Sequence, residues 1–377
     1  MLIKRTPDTI EKLKILSQDS VYDLACACGT DKCDHRIRSK EDKWIYPVIM
    51  QDGRRTFLFK TLISNICLNT CNYCPLRITQ DPRRCSLSPE EMAKTFLHLY
   101  KSGKVSGLFV SSGLSGAPDN TMEKINATAE ILRKNKFRGY IHLKIMPGSS
   151  EAAIEKAVSL ASAVSLNIET AGENHFKKLG TNKDYLKDIV RPIKKISELT
   201  SAGGRYARVK HTTQFIVGAS TETDRDIVEY SWGLYKRIRL DRIYFSAYQR
   251  GLGDTNLPGE TSRISNKELL IREHRLYQAD WLIRKYGFKE KEIPFNEQGN
   301  LHIDMDPKEA WAKIHPEYFP VNINKAGREE LLRVPGFGSV TVDRILENRK
   351  TGGLLTSILQ LGGLGKRWDK AVNYITI

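Results

Sequence analysis

Six apolar runs rich in β-branched residues alternate with amphipathic helical patterns over residues 57–250. A strand, a helix and a second strand in this order form a βα unit, whose strands lie parallel in one sheet. The repeat therefore predicts an α/β fold with active groups at the carboxyl ends of the strands. It leaves open whether the sheet is a barrel, complete or partial, or doubly wound. The predicted strands are residues 57–64, 105–111, 139–146, 164–169, 209–217 and 242–248.

The predicted helices begin with capping residues and continue beyond the repeat. Ser88 and Thr221 each precede acidic residues, which is typical of a helix N-terminus. The predicted helices are residues 88–100, 120–135, 150–161, 184–199, 221–238 and 266–287. We divide the chain into an N-terminal segment (1–56), a core (57–250), a helical extension and connector (251–320) and a tail (321–377).

Charge and hydropathy limit where the chain works and what it contacts. No apolar run approaches the roughly 18–20 residues of a membrane span, and the N-terminus lacks the apolar stretch of a signal peptide. We therefore expect a cytoplasmic protein without membrane contact. The formal net charge of +16 indicates a polyanionic partner, most simply a nucleic acid.

All seven cysteines lie in the first quarter of the chain, which is unlike a disulfide framework and favours metal or iron–sulfur ligation. Cys67, Cys71 and Cys74 fall within eight residues, directly after the first predicted strand. Four cysteines would close a four-iron cluster, whereas three leave one iron open to a substrate or cofactor. This segment is therefore the candidate catalytic and metal site.

The Cys-x3-Cys-x2-Cys spacing, with Tyr73 before the last cysteine, resembles the radical S-adenosylmethionine (SAM) superfamily. The resemblance covers about residues 57–250 and implies a partial (βα)6 barrel with a [4Fe–4S] cluster on the three cysteines. It also implies that the open iron binds SAM, that one electron cleaves the sulfonium, and that a 5′-deoxyadenosyl radical then takes a hydrogen atom from the substrate. An electron donor such as flavodoxin or ferredoxin is implied as a partner.

Further positions resemble segments with which this superfamily binds SAM, although ordinary strand packing is the alternative for some of them. Ser111–Gly113 replace a glycine-rich stretch that holds the SAM amino group, and its usual acid is missing here. Asn167 and Glu169 follow the fourth strand, and Gly218 resembles a glycine that the adenine approaches. The candidate cofactor-binding residues are Tyr73, Ser111, Ser112, Gly113, Asn167, Glu169 and Gly218.

The four remaining cysteines match in number an auxiliary iron–sulfur cluster or a zinc site. The candidate ligands are Cys26, Cys28, Cys33 and Cys85. The alternative is that Cys28 or Cys85 is a small buried residue.

The tail repeats a helix–hairpin–helix form around VPGFG (334–338) and LGGLG (361–365). A tight glycine turn presents amide groups at a helix N-terminus, which can bind phosphate without reading bases. The tail is similar to tandem helix–hairpin–helix domains of DNA uptake receptors and repair proteins, which implies DNA binding; some such domains bind proteins instead. Arg333 and Arg344 flank the first turn. The candidate DNA-binding residues are Gly336, Gly338, Gly363, Gly365, Lys366 and Arg367.

The whole arrangement resembles radical SAM proteins assigned to DNA modification or repair, through KLKILSQDSVYDLACACG, GLFVSSG and FRGYIHLKIMPGSS. That family often occurs beside a uracil-DNA-glycosylase-like protein, which is the implied partner. Cys28, Cys33 and Cys85 depart from its typical members.

We expect an enzyme whose radical acts on a DNA base flipped out of the duplex. Tyr244 and Tyr248 are candidates to stack on that base or donate a hydrogen atom, and core packing is their alternative. A radical enzyme acting on RNA or a small molecule, with the tail as a docking module, remains an alternative. A non-enzymatic DNA-binding protein with a structural or redox-sensing cluster is the other alternative.

Overall fold

The computed structural model describes residues 7–20, 44–49, 53–357 and 366–377. Its strands are β1 (Ile45–Ile49), β2 (Arg55–Leu62), β3 (Gly107–Ser111), β4 (Tyr140–Lys144), β5 (Ala163–Ser165), β6 (Lys210–Val217), β7 (Arg242–Ala247), β8 (Val321–Asn322) and β9 (Ile375–Thr376).

Its α-helices are α1 (Thr9–Asp19), α2 (Pro89–Lys101), α3 (Pro118–Lys134), α4 (Glu151–Leu160), α5 (Glu173–Lys177), α6 (Arg191–Thr200), α7 (Asp224–Gly233), α8 (Pro258–Thr261), α9 (Asn266–Lys285), α10 (Pro307–Ile314), α11 (Arg328–Arg333), α12 (Ser339–Thr351) and α13 (Lys366–Ala371). Two π-helical segments, Tyr185–Val190 and Leu234–Ile238, directly precede α6 and follow α7. Short 3₁₀ turns lie at Glu290–Glu292, Pro316–Tyr318 and Val372–Tyr374.

The first seven strands form one sheet in sequence order, and β2–β7 are parallel. A doubly wound sheet reverses its strand order at a switch point, whereas consecutive order is typical of barrels. The sheet curls into a half-barrel, which confirms the predicted partial (βα)6 fold.

Residues of the parallel strands alternate between two environments, as the period of a β-strand requires. Leu108 and Val110 on β3 are fully buried, as are Ile141 and Leu143 on β4. The residues that alternate with these along each strand face the inside of the half-barrel. The last such residue on each strand lies near the carboxyl end of that strand. This alternation places polar side chains on the concave face.

Two local features differ from the sequence-based expectations. Strand β1 pairs antiparallel with β2 at the sheet edge and was not predicted, because Pro47 argues against a strand; an edge strand tolerates proline. The helix predicted over residues 184–199 is a π-helical segment followed by α6. Pro192 directly follows this junction, and its missing N–H group cannot bond a carbonyl of the preceding turn, which fits the interruption of the α-helical pattern there.

The described chain separates into two compact units. The first comprises Met1–Glu222 and Gly233–Glu273, and the second comprises Thr223–Trp232 and His274–Ile377. The core of the second unit includes Leu331, Val334, Phe337 and Val342, which bracket the first glycine turn of the tail. In the described ranges, no helix combines the length and apolar character that crossing a membrane would require.

Candidate active site

A cavity of about 190 Å³ lies in the first unit, at the carboxyl ends of the parallel strands. Each of the six parallel strands contributes to its lining at, near or just beyond its carboxyl end. These contributions include Leu62, Ser111, Lys144, Asn167, Gln214 and Ser246. The cavity is therefore where a barrel of parallel strands places its reactive groups.

The segment with three cysteines follows β2 and forms part of the cavity wall. Cys71 is buried, Cys67 and Cys74 are half-buried, and all three are free thiols. The loop turns tightly, since the Cys74 amide donates to the Cys71 carbonyl over 3.0 Å. Burial, followed by the neighbouring Cys71, raises the pKa of the Cys74 thiol to about 12. A metal centre would therefore have to displace a proton from Cys74, as is usual for thiolate ligands.

Two arginines hold this loop through its backbone. The buried Arg77 Nη1 donates to the carbonyl oxygen of Cys74 over 3.0 Å and to that of Leu252 over 2.9 Å. The Arg84 guanidinium donates to four backbone carbonyls, those of Asn65, Leu76, Arg77 and Gln80. Neither residue is predictable from the sequence, because an arginine beside a motif is normally a solvated charge.

Gly113 lets the end of β3 approach the cysteine loop. Its amide donates to the Ser64 carbonyl over 2.7 Å. A Cβ at this position would lie 2.5 Å from the Ile66 carbonyl oxygen and 3.2 Å from Cys67 Cβ, which no side chain allows. Ser111, Ser112 and Gly113 all line the cavity beside the cysteines, as placed from the sequence.

Tyr73, Glu169 and Asn167 form one hydrogen-bonded group in the cavity wall. The Tyr73 hydroxyl donates to Glu169 Oε1 over 2.9 Å, and Asn167 Nδ2 donates to Glu169 Oε2 over 3.3 Å. Burial raises the pKa of Tyr73, and the charges of Cys71 and Glu169 add to this effect. Glu169 is buried and has a backbone φ of 68°, a left-handed conformation uncommon for a residue with a side chain.

Lys183 also lines the cavity and was missed by the sequence analysis. Burial lowers its pKa, but the charges of Cys71 and Glu169 and a hydrogen bond to Cys71 outweigh burial and raise the pKa above its usual value. Asp19, Lys144, Gln214 and Ser246 are further polar lining residues that carry no local motif. The only sequence signal of Asp19, Lys144 and Ser246 is their position at or near a helix or strand end, whereas Gln214 lies within β6.

In the second unit, VPGFG (334–338) joins α11 to α12. Gly336 has a φ of 83°, and Gly338 directly precedes the first turn of α12. The buried Lys308 Nζ donates to the Leu332 carbonyl over 3.0 Å and also to the Phe337 carbonyl, so that it bridges the two sides of the turn. Burial lowers the pKa of Lys308 to about 7.

Arg333, which flanks the first turn in the sequence, contacts aromatic rings and a carboxylate of the second unit. Its guanidinium carbon lies 4.4 Å from the ring centroid of Phe288 and 4.7 Å from that of Trp311, and its Nη1 is 2.7 Å from Glu292 Oε1. The residue therefore ties together the core of the second unit. Gly363 and Gly365 of the second predicted turn lie outside the described residues, as do the side chains of Lys366 and Arg367 at the start of α13.

Comparison with known protein families shows which family the segment with the cysteine loop matches. Residues 61–230 match the family described as the radical SAM superfamily. The chain carries a radical SAM domain. Residues 318–365 match the helix-hairpin-helix motif, so that the tail carries this motif as predicted.

Two solved structures of HydG, a maturase of [FeFe]-hydrogenase, are similar to this chain. One has a TM-score of 0.42 and 16% identity, over 57% of this chain and 48% of that one. The other, from Carboxydothermus hydrogenoformans, has a TM-score of 0.43 and 15% identity, over 57% and 49% of the two chains. The chain thus spans about half the length of these maturases. No curated protein sequence matches it.

The donor set of the radical SAM domain fits the [4Fe–4S] cluster that this family implies. Three thiols share one tight loop at the cavity, and hydrogen-bond donors already lie near two of the sulfurs. The Leu76 amide is 3.4 Å from Cys74 Sγ, and Thr181 Oγ1 is 3.2 Å from Cys71 Sγ. Such contacts are typical of cysteine sulfurs that ligate iron.

Three other predicted residues lie at different positions relative to the cavity of the radical SAM domain. Tyr248 lines it, and its hydroxyl donates to the Glu260 carboxylate. Tyr244 is outside the lining, with the Arg242 guanidinium 5.2 Å from its ring centroid. Gly218 is also outside the lining, and a Cβ there would lie 2.5 Å from Leu269 Cδ2.

The candidate auxiliary site falls mostly outside the described residues, because these do not include Cys26, Cys28 and Cys33. Cys85 is buried, and its Sγ lies 3.8 Å from the Lys12 carbonyl of α1. Burial raises the pKa of its thiol. Within the ranges that the structure covers, no three His, Cys, Asp or Glu side chains are arranged to hold a single metal ion.

Proposed function

We propose that this chain is a radical SAM enzyme that acts on DNA in repair or modification. The [4Fe–4S] cluster, held by Cys67, Cys71 and Cys74, would supply the electron that cleaves SAM to a 5′-deoxyadenosyl radical. The observation that carries the proposal is the convergence of three free thiols and a buried carboxylate on one cavity at the carboxyl ends of the strands.

The remaining residues of the cavity would bind and orient SAM. Tyr73 and Asn167 hold the Glu169 carboxylate in place, where it can accept hydrogen bonds from the hydroxyl groups of a ribose. Ser111, Ser112 and Gly113 offer hydroxyl and carbonyl oxygens to an ammonium group. Gly218 is proposed to let its own segment approach the adenine, although its visible contact is with Leu269.

The tail would deliver DNA to this chemistry. The turn around Gly336 and Gly338 leads into the N-terminus of α12, whose unpaired amide groups favour an anion. The formal net charge of +16 supports a polyanionic ligand. A duplex base would have to be flipped out to reach the cavity, and Tyr248 in the cavity wall is proposed to contact it.

Further partners are proposed on the family resemblance alone. They are an electron donor such as flavodoxin or ferredoxin and a uracil-DNA-glycosylase-like protein. A second iron–sulfur cluster or a zinc ion on Cys26, Cys28, Cys33 and Cys85 is proposed from the number of remaining cysteines. A cytoplasmic location is proposed from the hydropathy of the sequence.

The enzymatic part is tested by anaerobic purification and reduction in the presence of SAM. We expect release of 5′-deoxyadenosine, and a loss of about four irons in a Cys67/Cys71/Cys74→Ala variant, the content of one cubane. Tetrahedral zinc on this loop, or a fourth protein ligand on the open iron, would refute the proposal. A reduced protein with four irons that leaves SAM intact would favour the non-enzymatic alternative.

The DNA part is tested by binding across a range of salt concentrations. Val340 is 65% exposed in the first turn of α12, so that Val340→Glu adds a negative charge beside the proposed phosphate site without disturbing the core. We expect Val340→Glu to weaken duplex DNA binding and flatten its salt dependence, and Val340→Gln to stay near wild type. Tighter binding of RNA than of DNA, or equal behaviour of the two variants, would favour the alternative substrates.

A further inference from the structure

A second segment, residues 179–183, also holds the cysteine loop through hydrogen bonds. The Asn72 amide donates to the Leu179 carbonyl over 3.0 Å, and Thr70 Oγ1 donates to the Gly180 carbonyl over 3.3 Å. These contacts bring together parts of the chain about 110 residues apart in sequence. The loop is therefore fixed by a partner segment as well as by its own turns.

Gly180 shows how closely the two segments approach. It has a φ of 58°, and a Cβ there would lie 2.0 Å from Asn72 Nδ2. Asn72 lies between Cys71 and Tyr73, so that this contact fixes the position of the residue next to a proposed ligand. Thr181 follows directly and reaches the sulfur itself.

Thr181 Oγ1 and Cys71 Sγ are 3.2 Å apart, and either atom can donate while Cys71 is a free thiol. Thr181 Oγ1 already accepts a hydrogen bond from the Lys183 amide over 3.4 Å. An iron-bound cysteine sulfur carries no proton, so that the Thr181 hydroxyl proton is the one left to donate. Lys183 lines the same cavity as Cys71, so that its ammonium adds a positive charge close to this sulfur.

A hydrogen bond and a positive charge at a cysteine sulfur both withdraw electron density from the iron. Both therefore favour the cluster state with one more electron, and hydrogen bonds to the sulfurs are an established determinant of cluster potentials. The reduction adds one electron from an external low-potential donor, and no bond forms or breaks. We infer that Thr181 and Lys183 are positioning residues that raise the reduction potential of the cluster through Cys71.

This inference rests on the cluster of the proposed function and needs no assumption about the substrate. Its test is a redox titration of the whole, reconstituted chain without SAM or DNA, followed by electron paramagnetic resonance. Thr181→Val removes the hydroxyl at nearly constant volume, and Thr181→Ser is the matched control that keeps it. Lys183→Met and Lys183→Arg form a second matched pair, which removes or keeps the charge.

We expect Thr181→Val to lower the reduced-to-oxidised ratio about tenfold at a fixed potential, which is about 59 mV for a one-electron couple. Thr181→Ser should titrate like wild type. Lys183→Met should shift in the same direction as Thr181→Val, and Lys183→Arg should shift less. The iron and sulfide content of every variant is measured beside the potential.

Equal potentials in Thr181→Val and Thr181→Ser would overturn the inference while leaving the proposed function intact. Loss of iron in Thr181→Val but not in Thr181→Ser would also overturn it, because Thr181 would then act in cluster assembly. A wild-type chain that binds no cluster would overturn both the inference and the proposed function.

Discussion

Basic side chains hold both the cysteine loop of the first unit and the glycine turn of the second. The two regions differ in the chemistry of those side chains. In both, basic side chains donate to backbone carbonyls; Arg77 and Lys308 are buried, and Arg84 is half-buried. Arg77 and Arg84 do so for the cysteine loop, and Lys308 does so for the turn. A guanidinium keeps its charge in proteins, whereas the pKa of Lys308 falls to about 7.

The two regions also differ in where their contacts come from. The cysteine loop contacts segments far away in the sequence, such as residues 111–114, 179–183 and 251–254. The turn is formed by neighbouring residues and one lysine from α10. The first site should therefore fail when a distant segment is displaced, and the second when one side chain is changed.

The largest expected effect is at Gly113, where a distant segment touches the loop. Gly113→Ala places a methyl group against the Ile66 carbonyl, which belongs to the backbone and cannot rotate away. Such overpacking costs about 1–3 kcal/mol, and here it displaces Cys67. We expect loss of cluster iron and a lower melting temperature.

Gly233→Ala is the matched control, because no atom lies within 4 Å of its added Cβ. We expect this variant to keep its iron, with stability equal to wild type or higher by up to about 1 kcal/mol. Full iron content in Gly113→Ala would show that the close approach is not needed for the loop.

The second-largest expected effect is at Lys308, which holds the glycine turn of the second unit. Lys308→Met leaves the Leu332 and Phe337 carbonyls without their common donor, so that the turn relaxes. We expect about a tenfold loss of DNA affinity, equivalent to about 1.4 kcal/mol. Lys370→Met is the control, since Lys370 is half-exposed and pairs with Asp306 and Glu309 on the surface. Equal losses in both variants would make charge, rather than the turn geometry, the cause.

The third effect is a rise in the free energy of unfolding with pH, which Lys308 of the second region should cause. The pKa of Lys308 is about 7 in the folded chain and about 10.4 when unfolded, so that between these values the unfolded chain binds more protons. The free energy of unfolding should therefore rise with pH from about 7, by at most about 1.4 kcal/mol per unit.

Thermal unfolding of wild type and Lys308→Met at a series of pH values isolates the contribution of Lys308 to the free energy of unfolding. All other groups contribute to both chains. The difference between the two chains should change between pH 7 and pH 10 and be constant below pH 6. A constant difference throughout would mean that Lys308 stays charged when folded.

The smallest expected effect is at Tyr73, in the cavity of the first unit. Tyr73→Phe removes the hydroxyl that donates to Glu169 and leaves the ring in place. A single hydrogen bond of this kind contributes about 1 kcal/mol. We therefore expect SAM to bind more weakly, with a dissociation constant roughly fivefold higher. Iron content should not change. A loss of iron would instead give Tyr73 a role in shaping the cysteine loop.

The sequence predicts what is local or periodic. Six apolar runs indicate the parallel strands, and the spacing of Cys67, Cys71 and Cys74 indicates the loop without reference to any other segment. Ser111–Gly113 and Asn167 follow their strands closely enough that strand order alone places them at the cavity. The helix–hairpin–helix form is likewise visible because it repeats within the tail.

Residues that act at a distance escape this kind of prediction. Lys183, Arg77 and Lys308 have no pattern around them, and a basic side chain is normally solvated. Their partners are backbone carbonyls or a sulfur that only the fold brings near. Arg333 is a similar case, because the sequence shows only that it flanks a glycine turn, and the fold places its guanidinium against Phe288 and Trp311.

Glu169 has a consequence for any attempt to stabilise this protein. Its left-handed backbone costs a residue with a Cβ about 1–2 kcal/mol, which glycine would not lose, and its carboxylate is buried as well. Glycine or asparagine would suit the fold better at this position. Directed evolution for heat tolerance alone should therefore replace Glu169 early, and the more stable protein would lack the carboxylate that we propose binds SAM.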